Sequence, residues 1–180
     1  MEVRLIFGLS VLMSLVAFGL VARLYVLPWL RGLRRDDALV ALMVPHAFRF
    51  IGLSFLMPGV VAPSLPAAFA VPAAYGDLVA TVLAVTAILA TIGGASWATG
   101  LVWLFNLWGA ADLLYAYYQG VIGIPGFDPE ALGAAFYLPT AIVPLFLVTH
   151  GLMVRLLLSR KEMKASGLRH WDRIGVAGAV

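Results

Sequence analysis

Cysteine is absent from all 180 residues. That excludes disulfides, thiolate nucleophiles, thiolate-held zinc, iron–sulfur clusters and dithiol redox chemistry together. Charge is also scarce. Asp, Glu, Lys and Arg make up 12% of the chain, about half of what a soluble domain carries. With 63% hydrophobic residues and a mean hydropathy of +1.00, this composition does not fit a water-soluble globule. Lysine occurs only at Lys161 and Lys164, so no apolar stretch offers an amine for a retinal-type Schiff base. Enzyme motifs are missing too: there is no Asp-x-x-Asp inside an apolar stretch, no His-x-x-x-His and no Gly-x-Ser-x-Gly. A catalytic role is therefore not the expectation.

What the chain does have is five long apolar stretches, predicted to span a bilayer over residues 3–27, 38–57, 78–92, 97–118 and 136–158. At 1.5 Å per residue most of these suit a hydrocarbon layer of about 30 Å. Asp36 and Asp37 are candidate N-caps of the second span, and Asp77 of the third. The first stretch is too long for a signal peptide and lacks a small-x-small cleavage site, so it is read as a retained span.

Orientation follows from the basic residues. Arg31, Arg34 and Arg35 fill the first loop, and Arg160, Lys161, Lys164, Arg169 and Arg173 fill the tail, while the other side has only Arg4 near Glu2. An odd number of spans puts the first loop and the tail on one side, and the positive-inside rule makes that side the cytoplasm. The expected fold is all-α: an integral membrane bundle of five transmembrane helices over residues 1–158. Its N-terminus is outside, its C-terminus is cytoplasmic, and a basic cytoplasmic tail covers 159–180. Within the tail, Met163, Leu168 and Trp171 suit a short interfacial helix or a plain solvated segment. The expected location is the plasma (inner) membrane. The net charge of +3 comes from residues at span ends, a pattern that sets topology and does not line a nucleic-acid groove.

The two external loops resemble each other. Pro58-Gly59 recurs 67 positions later as Pro125-Gly126, Ala67-Ala68-Phe69 as Ala134-Ala135-Phe136, and Pro72 as Pro139. Spans two and three could thus duplicate spans four and five, as parallel repeats do in transporters. Both loops are apolar enough to cap the bundle, fold onto the membrane surface, or dock a partner or a second copy.

Ionisable groups at membrane depth cost about 2.5–3.5 kcal/mol each on insertion scales. Here they are His46, Arg49, Asp112 and His150. His46 and Arg49 share a face at i, i+3, beside Pro45, which removes one backbone hydrogen bond near Ala41. Helix rise places His46, Asn106 and His150 about 12–14 Å into their spans, and Arg49 and Asp112 about 16–22 Å in. An Arg49–Asp112 ion pair is the first expectation, because neither charge is tolerated alone in hydrocarbon. Trp108 and Tyr115 share the Asp112 face and are candidate pocket residues, while Tyr117 and Tyr118 fit an interfacial aromatic belt. His150, read alone, fits the cytoplasmic headgroup region beside Arg155.

The expected function is binding or translocation of a small molecule or ion, with His46, Arg49, Asn106, Trp108, Asp112, Tyr115 and His150 as the candidate ligand-binding residues. In that reading Arg49 attracts an anionic or hydrogen-bond-accepting group. No metal site or cofactor is expected. A haem- or quinone-carrying redox subunit is the alternative, with His46 and His150 as ligands of a haem b. A non-catalytic subunit of a membrane complex is another, given the small residues Gly8, Ser10, Ser14, Thr86, Gly93 and Gly94.

Overall fold

The computed structural model describes residues 2–159, and over them the chain is helical with no strand. Its long helices are α1 (Val3–Leu30), α2 (Arg35–Leu56), α3 (Ala67–Ile92), α4 (Ala98–Tyr118) and α5 (Leu138–Leu158). All except α4 are long and apolar enough to cross a membrane. The α4 helix has 21 residues, but Asn106 and Asp112 lower its hydropathy. The basic tail beyond Ser159, with its Met163, Leu168 and Trp171 element, lies outside the described residues.

Several helix boundaries differ from the sequence expectation. The α1 helix runs through Pro28 to Leu30, after one widened π-helical turn at Ala22–Val26. That turn gives room to the carbonyl the proline ring would otherwise crowd. Asp36 and Asp37 are not caps. Arg34 holds the N-cap position with no side-chain cap, and the two carboxylates sit in the first turn of α2, at the positive end of the helix dipole. The largest difference is in α3, which begins at Ala67 and not at Leu78, with Pro72 inside it. Asp77 is therefore a mid-helix residue. Pro72 sits close to the N-terminal end, where few backbone bonds are lost, so it does not break the helix.

In the bundle, α2 packs along α3, α3 along α4, α4 along α5, and α5 returns to the start of α2. The α1 helix lies outside this group against α5, with most of its apolar side chains exposed. The close approach of α2, α3 and α4 comes from alanine. Ala73, Ala74, Ala80, Ala84 and Ala87 are buried along one side of α3, so neighbouring backbones come near it. The small residues Gly8 and Thr86 do not serve this purpose: a Cβ at Gly8 would meet nothing, and Thr86 is exposed.

Two apolar layers fill the interior. One, toward the C-terminal end, contains Leu39, Val40, Met43, Val102, Phe105 and Met153. The other, toward the N-terminal end, contains Phe7, Phe55, Phe69, Phe127 and Leu132. Between them lies a polar layer.

The loops that follow α2 and α4 dock on each other and close the N-terminal end. The Ala62 amide donates to Ala131 O at 2.9 Å, and the Ala134 amide donates to Val60 O at 2.8 Å. Gly133 makes this clasp possible. Its φ is +53°, and a Cβ there would run into the Val60 carbonyl. Gly133→Val should therefore lower stability by about 1–3 kcal/mol, read as a drop in melting temperature of the detergent-purified protein. An unchanged midpoint would mean that the loops do not hold each other.

Candidate functional site

The site starts from a change of winding in α2. Pro45 has no N–H for an i→i−4 bond, and from Val44 to Leu56 the helix continues for 13 residues as a 3-10 helix. Runs longer than three or four residues of this kind are uncommon. At three residues per turn, every third side chain lies on one line, and His46, Arg49, Gly52 and Phe55 are the buried residues of the segment. A regular α-helix would spread these four over half a circumference.

Arg49 is fully buried and each nitrogen of its guanidinium has a partner. Nε donates to Asp77 Oδ1 at 2.7 Å, and Nη2 donates to Asp112 Oδ2 at 2.7 Å. Nη1 donates to the Gly109 carbonyl at 3.1 Å and faces His150 Nε2 at 3.5 Å. The Phe146 ring lies 5.7 Å from the guanidinium carbon, within cation–π range. The expected Arg49–Asp112 pair thus exists as part of a triad. Asp77, which the sequence reading assigned to a helix cap, is the other carboxylate.

His150 is buried and does not face the headgroup region beside Arg155. Its Nδ1 lies 2.9 Å from Asn106 Oδ1. The tautomer carrying hydrogen on Nδ1 donates to Asn106 and turns the Nε2 lone pair toward the guanidinium. The His46 Nε2 lies 2.9 Å from Thr149 Oγ1, whose own hydrogen has Phe146 O available at 2.9 Å. The two imidazole rings are 4.4 Å apart between centroids, bracketed by Phe105 and Phe146.

Three glycines make space for these side chains. A Cβ on Gly52 would collide with the Asp77 carboxylate, and one on Gly76 with the Asp112 carboxylate. One on Gly109 would lie 2.7 Å from His150 and 2.9 Å from Arg49 Nη1. Each helix of the triad therefore presents bare backbone to its neighbour's ionic group.

Asp77 and Asp112 keep 14% and 13% of their side-chain surface exposed. They line a chamber together with Phe7, Phe55, Phe69, Tyr117 and Phe127. The space in which the centre of a water-sized molecule fits is about 30 Å³, enough for one or two waters. A larger groove of about 460 Å³ lies between α1 and the end of α4 and shares Phe7, Tyr117, Gly120 and Phe127 with the chamber. The two adjoin along these residues. Toward the other end, the apolar layer of Met43, Val102, Phe105 and Met153 closes off the site.

Tyr115 is 49% exposed and lines a small groove together with Asp112, Ala68, Pro72 and Gln119. Trp108 is 45% exposed, with its Nε1 3.5 Å from Gly76 O. Tyr117, assigned to the interfacial belt, lines the chamber, and its hydroxyl donates to Pro139 O at 2.6 Å. That carbonyl is an orphan of the π-helical turn Leu138–Ile142. Val143 N bonds Leu138 O in an i→i−5 register, and the next donor would be Pro144, which has no N–H.

Residues 6–158 match a family described as a domain of unknown function, DUF8737. The chain belongs to that family. No curated protein and no solved structure matches it.

Proposed function

We propose that this DUF8737 member is a five-span membrane protein, N-terminus outside, that binds and translocates a proton or small monovalent cation at Asp77 and Asp112. The observation that carries the reading is the saturation of Arg49. With every guanidinium nitrogen engaged and none exposed, it has nothing to offer an anion, which reverses the polarity expected from sequence. One guanidinium against two carboxylates leaves a negative charge in the bundle. An unbalanced charge at this depth is costly unless a proton or cation joins it. Chamber size supports the same class, since about 30 Å³ suits a bare ion or a water. The α4 helix counts as a span in this reading because its two polar residues face the bundle and not lipid. Matching positive φ at Gly59 (86°) and Gly126 (76°) fits a duplication of the helix pairs.

The haem alternative is not carried forward. Its two candidate ligands, His46 and His150, are instead in ring contact at 4.4 Å and engaged by Thr149 and Asn106, which favours the ion reading.

Reconstituted protein on a solid-supported membrane tests the proposal with proton, sodium and potassium gradients. At least one gradient should give a current, reduced at least about tenfold in Asp77→Asn or Asp112→Asn, as for loss of a ligand worth 1.4 kcal/mol or more. If no gradient gives a current, or both variants conduct like the unsubstituted protein, the proposal fails.

A further inference from the structure

Val44–Leu56 carries both the guanidinium that pairs with the two carboxylates and an aromatic wall of the chamber. Arg49 and Phe55 are six residues apart, two full turns of a 3-10 helix, so they lie in register. Were the same segment α-helical, six residues would make 1.67 turns, and Phe55 would swing by about 120° relative to Arg49. It would also move about 3 Å closer along the axis, and the 13 residues together would shorten by about 6 Å.

A 3-10 helix has poorer hydrogen-bond geometry than an α-helix, so a run this long needs side-chain anchors. The anchors here are specific. Arg49 is held by Asp77 on α3, Asp112 and the Gly109 carbonyl on α4, and it faces His150 on α5. His46 is held at Thr149, and Gly52 fits against Asp77 only while it lies on the same line as Arg49. Phe55 completes the line, edge-on to Phe69 at 5.5 Å between centroids. Beyond the segment, Gly59 in the left-handed region turns the chain into the external loop, a place where a change in helix length can be taken up.

We infer that the ionic triad sets the winding of α2, so that a proton or cation held at Asp77 and Asp112 loosens their grip on Arg49, lets Val44–Leu56 rewind as an α-helix and swings Phe55 off the chamber wall. This rests on the proposed cation or proton site and adds its gate. Binding at the carboxylates weakens the hold on Arg49, and the helix answers by opening the wall through which the bound species passes. The sealed layer of Met43, Val102, Phe105 and Met153 sits below the segment and need not move first.

Because the chain has no cysteine, spin labels can be placed directly at the exposed positions Val44 and Met57 by Val44→Cys and Met57→Cys. Thirteen residue steps correspond to about 26 Å between backbones in a 3-10 helix and about 20 Å in an α-helix. Pulsed dipolar spectroscopy on the full chain in lipid should give the longer distance. Asp77→Asn combined with Asp112→Asn, and separately Arg49→Gln, should add a population shorter by about 6 Å. If those variants fail to fold, the labelled protein with native triad is measured in acidic and alkaline buffer, with and without sodium chloride. The short population should then grow in acid or with sodium. A distance that matches an α-helix from the start, or that stays the same in every folded variant and buffer, overturns the inference. Cation currents alongside an invariant distance would reject the gate and leave the site standing. A moving distance without currents would reject the cation reading alone.

Discussion

Arg49→Gln is expected to be the most damaging single substitution in this protein. It leaves Asp77 and Asp112 facing each other inside the bundle, each formerly 2.7 Å from a guanidinium nitrogen. Removing one partner of a buried ion pair costs about 3–5 kcal/mol, because the remaining charge is left uncompensated. Total stabilities of about 5–15 kcal/mol make that enough to deplete folded protein. The companion prediction is sharper. Arg49→Gln/Asp77→Asn/Asp112→Asn removes all three charges while keeping hydrogen-bonding groups of similar shape, and it should recover most of the lost stability without recovering cation currents. Thermal unfolding in detergent and the monodisperse yield report the first quantity, and currents the second. Pairwise, Arg49→Gln with Asp112→Asn should cost less than the sum of the single changes by about 0.5–3 kcal/mol, the usual coupling of groups in contact. Strict additivity would mean that the side chains do not meet in the membrane.

Gly109→Ala should be the next most damaging, with an opposite result about two and a half helical turns away at Gly100 on the same helix. The added methyl at Gly109 lands 2.7 Å from the His150 ring and 2.9 Å from Arg49 Nη1. Neither neighbour can yield easily. His150 is tied to Asn106, and Arg49 is tied to two carboxylates. Overpacking of this kind costs about 1–3 kcal/mol. Gly100→Ala meets nothing within 4 Å and should be neutral or stabilising by up to about 1 kcal/mol, since alanine orders a helix interior more cheaply than glycine. Equal melting temperatures for the two variants would contradict the packing described for the triad.

Much of the bundle was legible before any coordinates. Four apolar helices, the polar layer at mid-depth and the meeting of Arg49 with Asp112 follow from hydropathy and from the energetic penalty of a lone charge in hydrocarbon. Asp77 was misread for a physical reason. Pro72 and Gly76 look like loop residues, which makes the next carboxylate look like a cap. Yet residues 65–92 carry no other charge, and a proline near a helix start is tolerated. That uninterrupted run was the available signal. The place of Tyr117 in the chamber had no such signal, since only the positions of α1 and α5 turn its side of the helix inward.

Composition and spacing by themselves determined that the chain folds into long helices apolar enough to cross a membrane, and that opposite charges must meet among them. These are sums over residues, and the penalty for charge in lipid enforces them whatever the neighbours do. The tertiary structure alone decided that one arginine serves two aspartates, that α2 winds as a 3-10 helix to align His46, Arg49, Gly52 and Phe55, and that carboxylates face the chamber. Those outcomes depend on which backbone lies against which glycine and how tightly each helix is wound, and neither is written in any single stretch of the chain.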